Sequence, residues 1–282
     1  MPNLSVQDCL REAEAKLNST DEPRLSAIIL MAHLLNKPKT WVLAYPENIL
    51  SETQNQAFFA LVERLAKGEP LPYITGNQSF FGLEFMVNQT VLIPRPETEL
   101  LVEEALNWLR STPKAKQILD LGTGSGCIAI SLAKNSPNHQ ITAMDISEEA
   151  LEIASKNLKM HGVDTQVSLI KANLLETFEG KADLICANLP YIPEASLAEL
   201  DVKKWEPRLA LDGGKDGLTL IGQMLEQSQK HLNIPALILL EIDSSTTDDA
   251  LKLAKQHFPK ADIRILKDMA GKERLVRIEA RE

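Results

Sequence analysis

The sequence predicts an α/β protein in which a doubly wound, mostly parallel sheet follows a small all-helical N-terminal domain. Two patterns predict this fold. Apolar residues recur at helical spacing from Leu4 to about Ala66, and strand-like segments alternate with helix-like segments from Gln117 onward. Between them lies a stretch rich in Pro, Gly and aromatic residues. We therefore expect a helical domain at residues 1–75, a β-hairpin linker at 76–96 and an α/β domain at 97–282.

Length and composition fit a globular chain of this organisation. The 282 residues are 44% hydrophobic, which is enough to fill the cores of one large and one smaller domain. The formal net charge is -9. Binding to a nucleic-acid backbone needs clustered Lys and Arg, so this charge disfavours nucleic acid as the main partner. We expect a protein or a small molecule instead.

Cysteine and histidine usage indicates a reduced, metal-free protein. The 3 cysteines, Cys9, Cys127 and Cys186, lie far apart and have no metal-ligand spacing. The 5 histidines do not cluster, so we infer neither a metal site nor a histidine base. The chain has no basic leader segment and no apolar run of membrane-spanning length, so we expect a cytoplasmic protein without a membrane partner.

The first part of the chain reads as short helices followed by a hairpin. Apolar stripes at helical spacing, which indicate core positions, include Val6, Leu10, Ala13 and Leu17. The run from Phe85 to Ile93 is β-prone and predicts part of a hairpin. Pro96 is suited to the first turn of the amphipathic helix that follows, where a missing N–H costs nothing.

The remainder of the chain alternates between strands and helices. The predicted strands are residues 117–121, 140–144, 166–170, 182–186 and 236–242, with two terminal strands near Ile263 and Leu275. The predicted helices begin near Cys127, Ser147, Leu218 and Thr247, and the third of them runs to about Leu232. Such alternation is typical of a parallel sheet with helices on both faces.

A glycine-rich loop, Asp120-Leu-Gly-Thr-Gly-Ser-Gly126, follows the first of these strands and opens the next helix. Glycines permit a tight turn and let a ligand approach the N–H groups at a helix N-terminus, so the loop indicates a nucleotide-like ligand. The dinucleotide fingerprint needs a small residue where Cys127 stands, which disfavours an oxidoreductase with a nicotinamide cofactor.

Polar residues also end the next two strands. Asp145 lies about 20 residues beyond the glycine loop and is placed to accept hydrogen bonds from two ribose hydroxyls. The alternative is that Asp145, together with Ser147, caps the following helix. Asn173 ends the third strand, and its alternative role is an ordinary asparagine turn.

The tetrapeptide Asn188-Leu-Pro-Tyr191 follows the fourth strand and should lie at the same sheet edge as the glycine loop. The Asn188 side-chain oxygen and the Leu189 carbonyl can hold two N–H bonds of a planar amide or amine. Pro190 stiffens the turn, and Tyr191 supplies a flat wall. Such a clamp would orient a planar nitrogen for attack on an electrophile. The alternative is a plain turn at a strand end.

Together these residues resemble the HemK/PrmC family of protein-(glutamine-N5) methyltransferases, which have the class I methyltransferase fold. The resemblance spans nearly the whole chain, and its most diagnostic segment is Ile93-Pro-Arg-Pro-Glu-Thr-Glu99. Other matching segments are residues 68–76, 80–85, 120–126, 206–211 and 216–218. The acidic and proline residues of the diagnostic segment also suit a plain helix start, so no catalytic role is assigned to Arg95.

The resemblance implies a cofactor, a substrate and the residues that bind each. The cofactor is S-adenosyl-L-methionine, with Gly122, Thr123, Gly124, Ser125, Gly126, Asp145, Asn173, Leu174 and Asn188 as its implied ligands. The substrate is the glutamine of the Gly-Gly-Gln motif in class 1 peptide chain release factors, held by Asn188, Leu189, Pro190 and Tyr191. The helical domain would recognise the release factor, and methylation would modulate translation termination.

Three positions depart from the family pattern. Leu189 stands where the family has the first proline of Asn-Pro-Pro-Tyr, Asn173 replaces an aspartate, and Asp243 replaces a glycine. Two other functions stay open. An N6-adenine methyltransferase acting on DNA or RNA would require a basic groove and stacking aromatic residues. The second open function is that of a module that binds the cofactor without catalysis.

Overall fold

The computed structural model describes residues 4–111, 116–197 and 204–281. The chain divides into two compact units, residues 1–77 and 78–282. None of the described helices is long and apolar enough to cross a membrane. The narrower boundaries expected from the sequence, with a separate linker at 76–96, stay a prediction.

The N-terminal unit is helical, as the apolar spacing predicted. Its helices are α1 (Val6–Lys16), α2 (Pro23–Leu35), α3 (Lys39–Ala44), α4 (Glu52–Ala66) and α5 (Leu71–Thr75). The Ser5 side chain caps α1 by accepting a hydrogen bond from the backbone of Asp8, and Ser51 forms a reciprocal capping box with Gln54 at the start of α4. The apolar stripes meet in one core around the fully buried Phe58.

A short hairpin begins the second unit. Strands β1 (Asn77–Phe80) and β2 (Leu83–Met86) are joined by Phe81 and Gly82, whose φ angles of 50° and 72° fit the two-residue turn that favours hairpins. The β structure expected as far as Ile93 is wrong beyond Met86, because residues 87–95 contain no strand. Asn88 accepts a hydrogen bond from the backbone of Thr90 and turns the chain there.

The rest of the second unit is the α/β sandwich that the sequence predicted. Its strands are β3 (Gln117–Leu121), β4 (Gln140–Asp145), β5 (Val167–Lys171), β6 (Ala182–Ala187), β7 (Leu232–Glu241), β8 (Asp262–Lys267) and β9 (Glu273–Ala280). Its helices are α6 (Glu99–Arg110), α7 (Cys127–Asn135), α8 (Glu148–His161), α9 (Glu194–Leu197), α10 (Thr219–Ser228) and α11 (Thr247–His257). The expected fold class is confirmed.

Within the described residues, the sheet has seven strands in the order β5-β4-β3-β6-β7-β9-β8. Strands β3 to β7 pair in parallel, whereas β9 pairs antiparallel with both β7 and β8. One apolar core packs the sheet against α6, α7 and α8, and a second packs the opposite face against α10 and α11. Burial of both faces explains why the central strands read as continuous apolar runs.

The end of α10 and the start of β7 differ from the sequence prediction. Helix α10 ends at Ser228 rather than near Leu232, because the backbone N–H groups of Lys230 and His231 donate to the carbonyls of Gln227 and Ser228 in tight turns. Strand β7 then starts at Leu232, which pairs with Ala182.

The strand order places two loops side by side. From β3 the chain moves outward to β4 and β5, then returns to β6 on the other side of β3. Ligands of open α/β sheets bind at such a reversal, at the carboxyl ends of the strands. The loops that follow β3 and β6 therefore meet at one crevice.

Candidate active site

A cavity of about 440 Å³ lies at this edge of the sheet. Residues 122–125 of the glycine loop line it, together with Asn173, Leu174 and the first three residues of the acceptor tetrapeptide, residues 188–191. Segments 89–98 and 207–210 also contribute to the lining. The structure thus brings the residues singled out from the sequence to one place, although Gly126 and, as described below, Tyr191 do not line the cavity.

The glycine loop is held tightly against the neighbouring strand. Gly122 and Thr123 donate their backbone N–H groups to the Met144 carbonyl, at 2.9 and 3.0 Å. The φ angle of Gly122 is 70°, and a Cβ atom at this position would lie 3.2 Å from Leu189 Cδ2. Glycine is therefore required here both by the backbone conformation and by the close approach of the acceptor tetrapeptide.

Asp145 joins the loop to the end of β4. One carboxylate oxygen accepts a hydrogen bond from Gly124 N and the other from Ser147 N, each at 2.9 Å. Burial raises the pKa of Asp145, and these backbone bonds oppose that shift. Ser147, not Asp145, is the N-cap of α8, since its hydroxyl accepts from Ala150 N. Asp145 lines the cavity.

A second carboxylate lies beneath the loop. Asp120 is fully buried and accepts hydrogen bonds from the Thr123 hydroxyl at 2.7 Å and from Ala129 N at 3.1 Å. Burial raises the pKa of Asp120 to about 7, and the nearby Asp145 adds to the shift. Asp120 Oδ1 and the buried Ser125 hydroxyl have no hydrogen-bond partner among the described residues.

Asn157, in α8, is a site-building residue that the sequence analysis missed. Its fully buried side chain donates to the carbonyls of Ser125 at 2.8 Å and Met86 at 3.0 Å, and accepts from Met86 N at 2.8 Å. It thereby ties the glycine loop to β2. The available signal was its position on the apolar face of α8, beside the buried Ala154 and Leu158.

Asn173 and Leu174 lie where the sequence placed them, after β5. The Asn173 side-chain NH₂ donates to Glu176 at 2.8 Å. Leu174 is buried and has a φ angle of 52°, a conformation that residues with a Cβ rarely adopt. Both residues line the cavity. Their placement fits a wall for an adenine ring, and their role stays a prediction.

The acceptor tetrapeptide follows β6 directly. The Asn188 side-chain NH₂ donates to the Thr98 hydroxyl at 3.0 Å. Leu189 is buried and, with Pro190, lines the cavity. Tyr191 does not belong to the described residues that line the cavity. Its side chain packs against the apolar core on one face of the sheet. Burial, followed by the charge of Glu241, raises the pKa of Tyr191 to about 12.

Two further buried residues stand behind this tetrapeptide, and the sequence analysis assigned neither a role. Thr98 is 2% exposed and belongs to a 3₁₀ turn at Pro96–Thr98. Glu241 is 3% exposed at the end of β7. Burial raises the pKa of Glu241 to about 7, while a hydrogen bond from Thr98 and the nearby Arg274 oppose the shift. The signal in the sequence for Glu241 was an acidic residue at the end of a predicted strand.

An ion pair stands at the side of the cavity. Arg95 lines the cavity and lies 2.5 Å from Glu206, whose side chain is buried. The second Glu206 oxygen has no partner among the described residues. In the same part of the chain, no group of three or more His, Cys, Asp or Glu side chains is arranged to hold a metal ion.

Comparison with known proteins identifies the family. Residues 8–76 match the PrmC N-terminal domain, and residues 97–241 match the methyltransferase small domain. A release factor glutamine methyltransferase from Koribacter versatilis is 37% identical over 96% of each chain. Another, from Rhodopirellula baltica, is 35% identical over 92% of this chain and 90% of its own.

The fold also has solved counterparts. A methyltransferase from Pyrococcus furiosus covers 72% of this chain and 90% of its own with a TM-score of 0.52 and 20% identity, which supports the fold alone. The two relatives above match the present chain almost end to end. The chain belongs to the release factor glutamine methyltransferase family.

Proposed function

We propose that this protein transfers the methyl group of S-adenosyl-L-methionine to the side-chain amide nitrogen (N5) of the glutamine in the Gly-Gly-Gln motif of class 1 peptide chain release factors. The observation that carries the proposal is the hydrogen bonding of the Asn188 side chain. Its NH₂ group is engaged by Thr98, so its oxygen is left to accept a hydrogen bond from a substrate amide. The relatives named above support the choice of substrate.

The residues of the glycine loop fit the cofactor. Gly122 leaves open a space that a Cβ atom would fill, 3.2 Å from Leu189. Asp145 has two carboxylate oxygens at the cavity wall for ribose hydroxyls, and Leu174 offers an apolar surface for the adenine. Burial raises the pKa of Asp120, and the nearby charge of Asp145 adds to that shift. A cationic ligand beside these two carboxyl groups would be attracted to their negative charge.

The chemistry that the site must support is methyl transfer to a weak nucleophile. When bound, S-adenosyl-L-methionine would supply a sulfonium methyl: the carbon–sulfur bond breaks as the nitrogen–carbon bond forms, its electron pair stays on the sulfur of the departing S-adenosyl-L-homocysteine, and the methylated amide releases one proton to water. Asn188 and the Leu189 carbonyl would hold the two N–H bonds and aim the nitrogen. Orientation of this kind accelerates a reaction without an acid or a base.

The charges around the cavity favour a neutral amide over a nucleic acid. Among the described lining residues Arg95 is the one Lys or Arg, and it is paired with Glu206, while Asp145 and Glu149 are acidic. A polyphosphate backbone would meet repulsion there.

We infer that the helical unit recognises the release factor as a whole. Its exposed apolar side chains include Leu43, Tyr45 and Ile49, at 57%, 47% and 57% exposure. Large exposed apolar residues on one unit suit a protein partner. Their replacement by serine should raise the KM for the release factor and leave cofactor affinity unchanged.

A transfer assay tests the proposal. The full chain is incubated with methyl-labelled S-adenosyl-L-methionine and, separately, an unmodified release factor, the same factor with glutamate in place of the Gly-Gly-Gln glutamine, and DNA. Tandem mass spectrometry then locates the label. We expect it on the glutamine side chain of the first substrate alone. Label on DNA, or equal label on both release factors, would overturn the proposal.

A further inference from the structure

Three buried or partly buried side chains from distant parts of the sequence come together at one side of the cavity, which Thr98 and Asn188 line. Thr98 comes from the 3₁₀ turn before α6, Asn188 follows β6, and Glu241 ends β7. Ala187 pairs with Leu240 in the parallel register of β6 and β7, so Asn188 and Glu241 are the next residues along these adjacent strands. Thr98 accepts a hydrogen bond from the Asn188 NH₂ at 3.0 Å, and hydrogen bonding by Thr98 lowers the pKa of the Glu241 carboxyl against the effect of burial.

The direction of the hydrogen bonds follows from what each group can donate. A carboxylate only accepts, and the Thr98 hydroxyl has a single proton. Thr98 gives this proton to the Glu241 carboxylate and therefore presents its oxygen to Asn188. The Asn188 NH₂ fills that position at 3.0 Å. Because Thr98 holds the NH₂ group of Asn188, the side-chain oxygen of Asn188 must point away from Thr98.

We propose that Thr98 and Glu241 are positioning residues that fix the Asn188 side-chain oxygen toward the substrate amide. This inference rests on the proposed function, because it assigns the task of holding the glutamine to Asn188. Neither Thr98 nor Glu241 needs to touch the substrate. The segment from Ile93 to Glu99, which had no assigned task, thereby supplies Thr98. We call the chain of hydrogen bonds from Glu241 through Thr98 to Asn188 the relay.

Protonation of Glu241 would reverse the relay. A neutral carboxyl can donate to Thr98, which can then turn its own proton toward Asn188 and favour the flipped amide. The pKa of Glu241 is raised to about 7 by burial, so the change falls near neutral pH. The other titratable and charged groups that act on Glu241 or feel its charge are Arg95, Glu97, Cys127, Tyr191 and Arg274.

Substitution of Thr98 is the first test. Thr98→Val removes the hydroxyl at nearly constant shape, and we expect kcat for glutamine methylation to fall on the order of 10- to 100-fold because the amide is no longer oriented. The calorimetric Kd for S-adenosyl-L-methionine should not change. Thr98→Ser keeps the hydroxyl and should restore most of kcat.

Thr142 provides a matched control. Its buried hydroxyl also accepts a hydrogen bond from a carboxamide, Gln117 Nε2 at 3.0 Å, but it does not line the cavity. Thr142→Val should lower the thermal unfolding midpoint and leave kcat unchanged. A merely structural role for Thr98 would give the same result as this control.

The pH profile of Glu241→Gln is the second test. Wild-type kcat should decline below about pH 7, as Glu241 takes up a proton. Glu241→Gln cannot titrate, so it should have a low kcat at pH 8 and lack this decline.

The outcomes separate this inference from the proposed function. If the wild type fails to methylate the glutamine, the proposed function is wrong and the inference falls with it. If the wild type is active and Thr98→Val matches it in kcat, only the positioning role is wrong. The positioning role is also wrong if Thr98→Ser fails to restore kcat while remaining folded, or if Glu241→Gln keeps the wild-type acid decline.

Discussion

The two ends of the cavity are built in different ways. The end proposed to bind the cofactor, called here the cofactor end, is a contiguous loop, Gly122 to Gly126, whose backbone groups are bonded to Met144 and Asp145 on the adjoining strand. The end proposed to hold the substrate amide, the acceptor end, depends on side chains, and its Asn188 is held by Thr98, 90 residues away in the sequence. A site made of backbone leaves a glycine pattern in the sequence, whereas a site made of side chains leaves scattered residues.

This contrast makes the two ends separable by mutation, and the acceptor end should show the largest effect. We expect Asn188→Ala to lower kcat by roughly 100- to 1,000-fold, by analogy with the loss of one preorganised hydrogen-bonding group. Calorimetry should show nearly unchanged affinity for S-adenosyl-L-methionine. Loss of both would assign Asn188 to the cofactor end. Asn135→Ala is the control, because its NH₂ donates to the Ser131 carbonyl outside the cavity.

The opposite pattern is expected at the glycine loop. Gly122→Ala adds a Cβ atom 3.2 Å from Leu189 Cδ2 at a φ of 70°, and should weaken cofactor binding by about 10- to 100-fold. Gly271→Ala, at a φ of 79° with open space around it, carries the backbone strain alone. Equal Kd values in the two variants would show that the approach to Leu189 has no bearing on binding.

A smaller effect is expected at Asp145. The amide of Asp145→Asn has one oxygen in place of two, so it cannot accept from Gly124, Ser147 and a ribose together. We expect the Kd for the cofactor to rise about 10-fold, the equivalent of one hydrogen bond.

Asp183→Asn is the matched control for that substitution. Asp183 accepts from Gln117 N at 2.9 Å and from Asn233 at 3.0 Å, at the start of β6. This variant should lose stability and keep its Kd. A normal Kd in Asp145→Asn would refute the assignment of Asp145 to the ribose.

The smallest effect is expected where the chain departs from the family. Leu189→Pro preserves the carbonyl that we propose holds the substrate amide, so kcat should stay near the wild-type value. Loss of buried leucine packing should lower the free energy of unfolding by about 1 to 2 kcal/mol, measured by urea denaturation. Inactivity of a folded Leu189→Pro protein would mean that the turn differs from that of Asn-Pro-Pro-Tyr.

The sequence predicted the parts of the molecule that depend on periodicity and glycine. The alternating segments indicated the parallel sheet. The loop at Gly122 and the tetrapeptide at Asn188 were expected at one edge because each directly follows a strand of that sheet. The β structure of the hairpin was predicted to extend too far, because the Asn88 side chain turns the chain after Met86 although the residues there are β-prone. Local propensity does not report such a bond.

The supporting residues could not be predicted in the same way. Asn157 carries no unusual local pattern, and Thr98 belongs to the diagnostic segment Ile93–Glu99 without a local sign of its own role. The roles of both arise from contacts with residues that are remote in the sequence. Glu241 depends on the pairing of β6 with β7, which sets it beside Asn188. Only the folded sheet brings these side chains together.

The most direct test is a crystal structure of the protein with S-adenosyl-L-homocysteine and a peptide that contains Gly-Gly-Gln. We expect the glutamine side-chain nitrogen about 2.7 to 3.2 Å from Asn188 Oδ1. The Asn188 NH₂ should remain on Thr98, and the nucleoside should lie against Asp145 and Leu174. A glutamine held by other residues, or an Asn188 amide that turns its NH₂ toward the peptide, would contradict the role proposed for Asn188.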